Sequence, residues 1–226
     1  MKGVGLRCIG VWLLLIPSVV ALQPAFGGWP GFLPGMAGIT LGVLVGYLTA
    51  RFRLSLLLTV LATLVTYLLF GGAFALPRTT IAGFVPTLDT VRRLVLLSVQ
   101  SWRDLLTVAT PADDFTGPAV VPWLLGLLGG VVAATLAART RAVFWPLLPS
   151  LVLLIVSITM GVRTAPTATW LGAALGAGML VWVWVHQTMT QRADNADILV
   201  NNQAESSQTL RRAMAAAALL GVGVSA

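Results

Sequence analysis

The sequence predicts an all-α fold, a polytopic bundle of membrane-spanning helices. Hydrophobic residues make up 58% of the 226 residues and charged residues only 9%, whereas a soluble domain carries about 25% charged residues. Long apolar stretches follow one another, and short turns between them carry arginine. This composition excludes a soluble enzyme and a disordered tail. A single cysteine excludes a secreted scaffold held by internal disulfides.

Six apolar segments have the length, or nearly the length, of the roughly 20 residues that cross a bilayer as a helix. The segments are Cys8–Leu22, Gly31–Ala50, Leu54–Ala75, Pro118–Ala137, Val143–Gly161 and Thr167–His186. The first is short, and with Lys2, Arg7 and the small residues near Ala21 it also resembles a cleavable signal peptide. An uncleaved first helix is favoured because more spans follow closely. Residues 1–186 are therefore predicted to form a six-helix membrane domain.

The distribution of arginine predicts the orientation of these spans. With a cytoplasmic N-terminus, the inner segments hold nine basic residues and the outer segments five. The short turns Arg51–Arg53 and Arg139–Arg141 decide the count, because short cytoplasmic loops carry the positive-inside signal. We expect a multi-pass protein of the plasma membrane, and the net charge of +7 then needs no nucleic-acid partner. The predicted partner is the lipid bilayer.

Tryptophan residues cluster near the ends of the predicted spans, as in the aromatic belts of membrane proteins. The outer group is Trp29, Trp102, Trp123 and Trp170, and the inner group is Trp145, Trp182 and Trp184.

The outer loop, residues 76–117, contains a second kind of helix. Residues 87–108 read as amphipathic, with apolar and polar side chains gathered on different faces. The apolar set is Leu88, Val91, Val95, Trp102 and Leu105, and the polar set is Asp89, Arg92, Arg93, Gln100 and Arg103. This pattern predicts a helix in the outer interface, which either caps the bundle or docks an outer domain.

The C-terminal part divides into two segments. Residues 187–212 are rich in Asn, Gln and Ser and are predicted to be a cytoplasmic linker. Residues 213–226 are apolar but too short to span, so they read as the start of a truncated seventh helix.

No residue is predicted to be catalytic, to bind a cofactor or to hold a metal. His186, the only histidine, is predicted to be a silent residue at the inner end of the sixth span. Cys8 is predicted to be a small apolar helix residue, with palmitoylation as the alternative. Asp113 and Asp114 are predicted to lie in a solvated turn. The alternative is a calcium site, for which two carboxylates supply too few ligands. The spans hold no charged side chain, which argues against ion-coupled transport.

Glycines at four-residue spacing are the clearest pattern in the spans. They are Gly31, Gly35, Gly38, Gly42 and Gly46 in the second, Gly126 and Gly130 in the fourth, and Gly172 and Gly176 in the sixth. This spacing predicts close helix packing, within the chain or between chains. Thr59, Thr63 and Thr66 form a stripe on the third span and are predicted to bond carbonyls of their own helix.

Four stretches together resemble a known family. They are SWRDLLTVATP, TGPAVVPWLLGLLGGVVAATLAART, FWPLLPSLVLLIVSI and LRRAMAAAALLGVGVSA. In this order they resemble the N-terminal membrane region of actinobacterial transglutaminase-like proteins of the TgpA type. The resemblance covers about residues 31–226. It implies an extracytoplasmic domain with a Cys-His-Asp triad beyond a seventh helix, and as partners a MoxR-type ATPase and a second membrane protein. Cys8 and His186 do not map onto that triad.

We therefore expect the chain to be the membrane anchor of a transglutaminase-like cell-envelope protein, non-catalytic in itself, while enzyme activity of the parent protein stays uncertain. The alternative is a complete small polytopic protein that acts as a transporter-like or assembly component. A third reading is a lipid-handling scaffold with the helix at 87–108 on the outer leaflet.

Overall fold

The computed structural model describes seven α-helices and no strand in residues 2–26, 28–77, 80, 86–107, 119–140, 142–160 and 169–188. The helices are α1 (Lys2–Val20), α2 (Trp29–Arg51), α3 (Leu56–Ala75), α4 (Leu88–Thr107), α5 (Val120–Arg139), α6 (Leu148–Met160) and α7 (Thr169–Thr188). Short 3₁₀ turns at Gln23–Phe26 and Trp145–Leu147 lead into α2 and α6. The predicted all-α fold is confirmed for these residues.

Four of the helices are long and apolar enough to cross a membrane, namely α2, α3, α5 and α7. Two shorter apolar segments, Val4–Val20 in α1 and Trp145–Met160 in and before α6, coincide with the first and fifth predicted spans. These helices indicate a multi-pass membrane protein that contacts the lipid bilayer.

The pair α2 and α5 forms the most extensive helix contact in the described part of the chain. A Cβ atom on Gly38 would lie 2.7 Å from the carbonyl oxygen of Trp123, and one on Gly126 would lie 2.6 Å from that of Gly35. A Cβ on Gly42 would overlap the Leu127 carbonyl. Because glycine has no side chain, the backbones of α2 and α5 come into contact at these positions, and dispersion forces act between them.

Serine hydroxyls join α1 to α6. The buried Ser18 donates a hydrogen bond to the Ser150 carbonyl at 2.8 Å, and Ser157 donates one to the Ser18 carbonyl at 2.9 Å. Ser157 also contacts the carbonyl of Leu153 in its own helix at 2.7 Å. These polar groups are satisfied inside an apolar bundle, where an unpaired hydroxyl would be costly.

An arginine ties the end of α5 to the start of α3. Arg139 donates to the Leu54 carbonyl at 2.7 Å and lies 3.4 Å from the Thr59 hydroxyl. Ser55 caps α3 by accepting from the Leu58 amide. In the preceding turn, Arg53 has a φ of 52°, a left-handed conformation that is uncommon for a residue with a side chain.

The predicted threonine stripe on α3 is confirmed. Thr59, Thr63 and Thr66 each donate to the carbonyl four residues earlier, at 3.1, 2.8 and 2.8 Å. Because each hydroxyl proton is bonded within the helix, these threonines need no acceptor from a neighbouring helix. Many of the other side chains of α3 are apolar and exposed.

The glycine prediction holds for α2 and α5 and differs on α7. Among the described residues, no atom lies within 4 Å of a Cβ placed on Gly172 or Gly176, so no described helix packs against these two glycines. Sequence spacing marks a glycine as able to pack closely, but a facing helix is required for the contact.

Two of the tryptophans assigned to the aromatic belts are covered by other side chains. Trp123 and Trp182 are buried, at 0% and 8% exposure. The tryptophans that stay exposed are Trp29, Trp145, Trp170 and Trp184. A span-end position does not exclude the core, because a helix end also has a face turned toward its neighbours.

Contacts between Cα atoms divide the chain into two units, Met1–Val181 and Trp182–Ala226. The first holds α1 to α6 and most of α7. Of the second, the structure describes residues 182–188, where the rings of Trp182 and His186 lie 6.1 Å apart. The predicted linker 187–212 lies almost entirely outside the described residues, and the predicted truncated helix 213–226 lies wholly outside them.

Candidate functional site

The helix α4 carries more charged residues than any other helix that the structure describes. It spans Leu88–Thr107, which agrees with the amphipathic helix predicted over residues 87–108. Its start is fixed by two threonines: the Thr90 amide donates to the Thr87 hydroxyl at 3.1 Å, and the Thr87 amide donates to the Thr90 hydroxyl at 3.2 Å. This reciprocal pair satisfies two amides at the helix start, as a capping box does.

The side of α4 that packs on the bundle is built from one leucine and several hydroxyl side chains. Thr90, Leu94 and Ser101 are buried, and Leu94 is fully covered. Leu94 joins a core cluster with Tyr67 of α3 and Trp123 of α5. The Tyr67 hydroxyl contacts the Leu94 carbonyl at 3.3 Å and the Ser98 hydroxyl. The helix is therefore held by both apolar burial and hydrogen bonds.

Two adjacent glycines on α3 make room for α4. A Cβ on Gly71 would lie 2.8 Å from Leu94 Cδ2, and one on Gly72 would lie 2.9 Å from Thr90 Cγ2. Because Gly71 and Gly72 have no side chains, Leu94 and Thr90 of α4 can lie directly against the backbone of α3. This packing side was missed by the sequence analysis, because Thr90 and Ser101 read as polar. The Gly71–Gly72 pair was the available signal.

Trp123 lies beneath this junction. Its ring stacks on Phe74 with centroids 5.5 Å apart. Its indole nitrogen is buried and has no hydrogen-bond partner among the described residues. A Cβ on Gly71 would come within 3.0 Å of that nitrogen. The junction supplies hydroxyls and one indole N–H; the described side chains that form it include no carboxylate, imidazole or thiol.

The opposite side of α4 is uncovered and mixed in character. Leu88 is 90% exposed and Val99 is 76% exposed, and Val95 lies between them on the same face. Beside this apolar strip lie exposed polar residues, Asp89, Arg92, Arg93 and Gln100. Arg93 and Asp89 form an exposed ion pair at 2.8 Å. Leu88 and Val95 belong to the predicted apolar face, so that face points away from the bundle. The side chains of Trp102 and Leu105 lie outside the described ones.

The remaining residues weighed from the sequence are not brought together. Cys8 is buried on α1, and His186 is buried on α7 beside Trp182. Asp113 and Asp114 lie outside the described residues. Among the residues that the structure covers, no three His, Cys, Asp or Glu side chains lie close enough together to hold a metal ion.

Comparison of the chain with protein-family models, with curated proteins and with solved structures finds no match in any of the three. A functional hypothesis therefore rests on the geometry of α4, on the apolar helices and on the resemblance in the sequence.

Proposed function

We propose that this chain is the membrane-anchor region of a transglutaminase-like cell-envelope protein of the actinobacterial TgpA type, and that it carries no catalytic group itself. The observation that carries the proposal is α4. This helix is locked onto α3 and α5, yet it presents an uncovered apolar strip beside charged residues. Such a surface suits the outer interface or a domain that sits on it.

The proposed topology has six spans and a cytoplasmic N-terminus in the plasma membrane. The short helices α1 and α6 count as spans in this arrangement, and the buried hydrogen bonds of Ser18 support a first helix that stays in the bundle. Residues 187–212 then lie in the cytoplasm. A seventh span beginning in residues 213–226 would lead to an extracytoplasmic domain, which supplies the cysteine nucleophile.

The proposed partners follow from the same reading. They are the downstream domain of the same protein, a MoxR-type ATPase and a second membrane protein. The ATPase would meet the cytoplasmic turns, where Arg53 is exposed. The second membrane protein would meet apolar helix surface, of which α3 and α7 offer the most.

The native protein in its own membranes tests the proposal. An antibody against a peptide from residues 189–212 should detect a product much heavier than 23.8 kDa. A thiol-directed activity probe added to intact cells should label the same product, because the proposed nucleophile lies outside the cytoplasm. A native product of 23.8 kDa would rule out the anchor proposal.

A matched variant separates the proposed nucleophile from the cysteine in this chain. Cys8 is buried, so a Cys8→Ser variant of the native gene should be labelled as strongly as the wild type. Loss of labelling in that variant would assign the reactive thiol to Cys8 and contradict the proposal.

The alternative function is a small assembly component of the membrane. One observation favours it: Gly172 and Gly176 on α7 face open space although their spacing suits a close helix contact. A second membrane protein, or a second copy, would fill that space. Crosslinking in membranes through a cysteine at Ala173 would capture that neighbour. An absence of crosslinked product would remove the reason for this alternative.

A further inference from the structure

A groove of about 440 Å³ runs between α1 and α2 on the surface of the bundle. On α1 its lining extends from Gly5 to Trp12, and on α2 from Thr40 to Tyr47. Seven residues of helix rise about 10 Å. Half of a hydrocarbon core is about 15 Å thick, so the groove covers roughly two-thirds of one leaflet.

The end of the groove nearest the middle of the helices is closed by a hydrogen bond. The Trp12 indole nitrogen donates to the Thr40 hydroxyl at 3.1 Å, and that hydroxyl donates to the Met36 carbonyl at 2.7 Å. Both polar groups are thereby satisfied. The rest of the lining surface is almost entirely apolar, and it includes the buried thiol Cys8. Such a lining accepts an alkyl chain and offers a polar ligand nothing.

The other end of the groove opens toward the basic ends of α1 and α2. Arg51 is the last residue of α2 and lies one helical turn beyond Tyr47, on the same face. Lys2 lies one turn before Gly5 at the start of α1. The first 88 residues contain no Asp or Glu, so no carboxylate of α1, α2 or α3 neutralises Arg51. Arg139, at the same end of the bundle, is already engaged with Leu54.

We propose that this groove binds one acyl chain of an anionic phospholipid whose phosphate lies against Arg51. A basic end beside an apolar cleft between membrane helices is the arrangement that selects anionic lipids. The carbon-lined cleft holds the tail, and the guanidinium is a good donor to phosphate oxygens. The site is independent of the anchor function proposed above, because it uses only α1 and α2.

Native mass spectrometry of the full chain tests the site. The protein is placed in nanodiscs of equal phosphatidylglycerol and phosphatidylcholine and then released in detergent. The wild type should retain one phospholipid, with phosphatidylglycerol favoured about fivefold, the contribution of roughly one basic residue near an anionic surface. Equal retention of the two lipids by the wild type, or no retained lipid, would overturn the proposal.

Gly5→Leu tests the apolar part of the groove. No atom lies within 4 Å of a Cβ on Gly5, so the new side chain fills the groove without displacing a neighbour. Retained lipid should fall by at least about fivefold, which corresponds to loss of the buried methylenes. Gly172→Leu is the matched control, since Gly172 also meets open space. Equal retention by the two variants would contradict the assignment.

Arg51→Gln tests the charged part and does not depend on the folding of the Gly5 variant, because Arg51 is exposed. It should abolish the preference for phosphatidylglycerol while one lipid is still retained. Arg92→Gln, an exposed arginine on α4, is the control and should keep the preference. An unchanged preference in Arg51→Gln would overturn the role of Arg51.

Discussion

At the scale of single residues, glycine positions decide how closely the central helices approach. Gly42 is in contact with α5 along its backbone, and its missing Cβ would occupy the place of the Leu127 carbonyl. Gly172 has the same residue type and the same four-residue spacing to a second glycine, but meets open space. Gly42 and Gly172 differ in whether another helix faces them. A substitution at Gly172 is therefore a control for the same substitution at Gly42.

We expect Gly42→Ala to destabilise the protein by about 1–3 kcal/mol, the usual cost of forcing extra volume into a packed contact. The methyl group would collide with backbone, which cannot rotate away. Thermal unfolding of the detergent-solubilised protein measures the effect as a lower midpoint. Gly172→Ala should leave the midpoint unchanged or slightly raised, since alanine favours helix over glycine. Equal midpoints for the two variants would show that α2 and α5 do not meet closely.

At the scale of elements, α4 shows how two faces of one helix take different roles. Leu94 is fully buried against α3 and α5, whereas Leu96, two residues on, is about half exposed. The hydroxyls of Thr90 and Ser101 lie on the packed face with Leu94. A hydropathy pattern assigns threonine and serine to the solvent side of a helix, so it does not predict this packed face.

Leu94→Ala should therefore lower stability by about 2–5 kcal/mol through lost burial and a residual cavity. Leu96→Ala is the same change on the uncovered side and should cost little. Limited proteolysis of α4 in detergent, together with thermal unfolding, compares the two. Faster cleavage in Leu96→Ala than in Leu94→Ala would reverse the assignment of the faces.

For the molecule as a whole, the arginine turns are the basis of the proposed orientation, in which α4 lies outside the cytoplasm. The turn between α2 and α3 carries Arg51 and Arg53, and residues 1–88 contain no Asp or Glu. In the proposed orientation, the membrane potential and anionic lipid would hold the positive charge of Arg51 and Arg53 on the cytoplasmic side.

Cysteine accessibility in intact cells checks this orientation. In a Cys8→Ala background, a cysteine at Gln100, which is exposed on α4, should react with a membrane-impermeant maleimide added outside. A cysteine at Phe52, exposed in the α2–α3 turn, should react only after the membrane is opened. The reverse pattern would place the N-terminus outside and contradict the proposed topology.

Composition and hydropathy along the chain suffice to predict the membrane class, the positions of the apolar helices and the extent of α4. These properties depend on the composition and period of consecutive residues, because about 20 apolar residues in a row favour a span wherever they occur. The sequence also predicted that the α3 threonines bond their own helix, since their carbonyl partners lie four residues away.

Which helix surfaces meet is visible only in the three-dimensional packing. It paired α2 with α5 through Gly42, left Gly172 open and buried Trp123 at 0% exposure. It also opened the groove between Gly5 and Tyr47. Each of these facts depends on residues far apart in the chain. In a membrane, where lipid tails are as apolar as leucine, hydrophobicity does not select the partner of a helix, and the fit of small side chains and hydrogen bonds does.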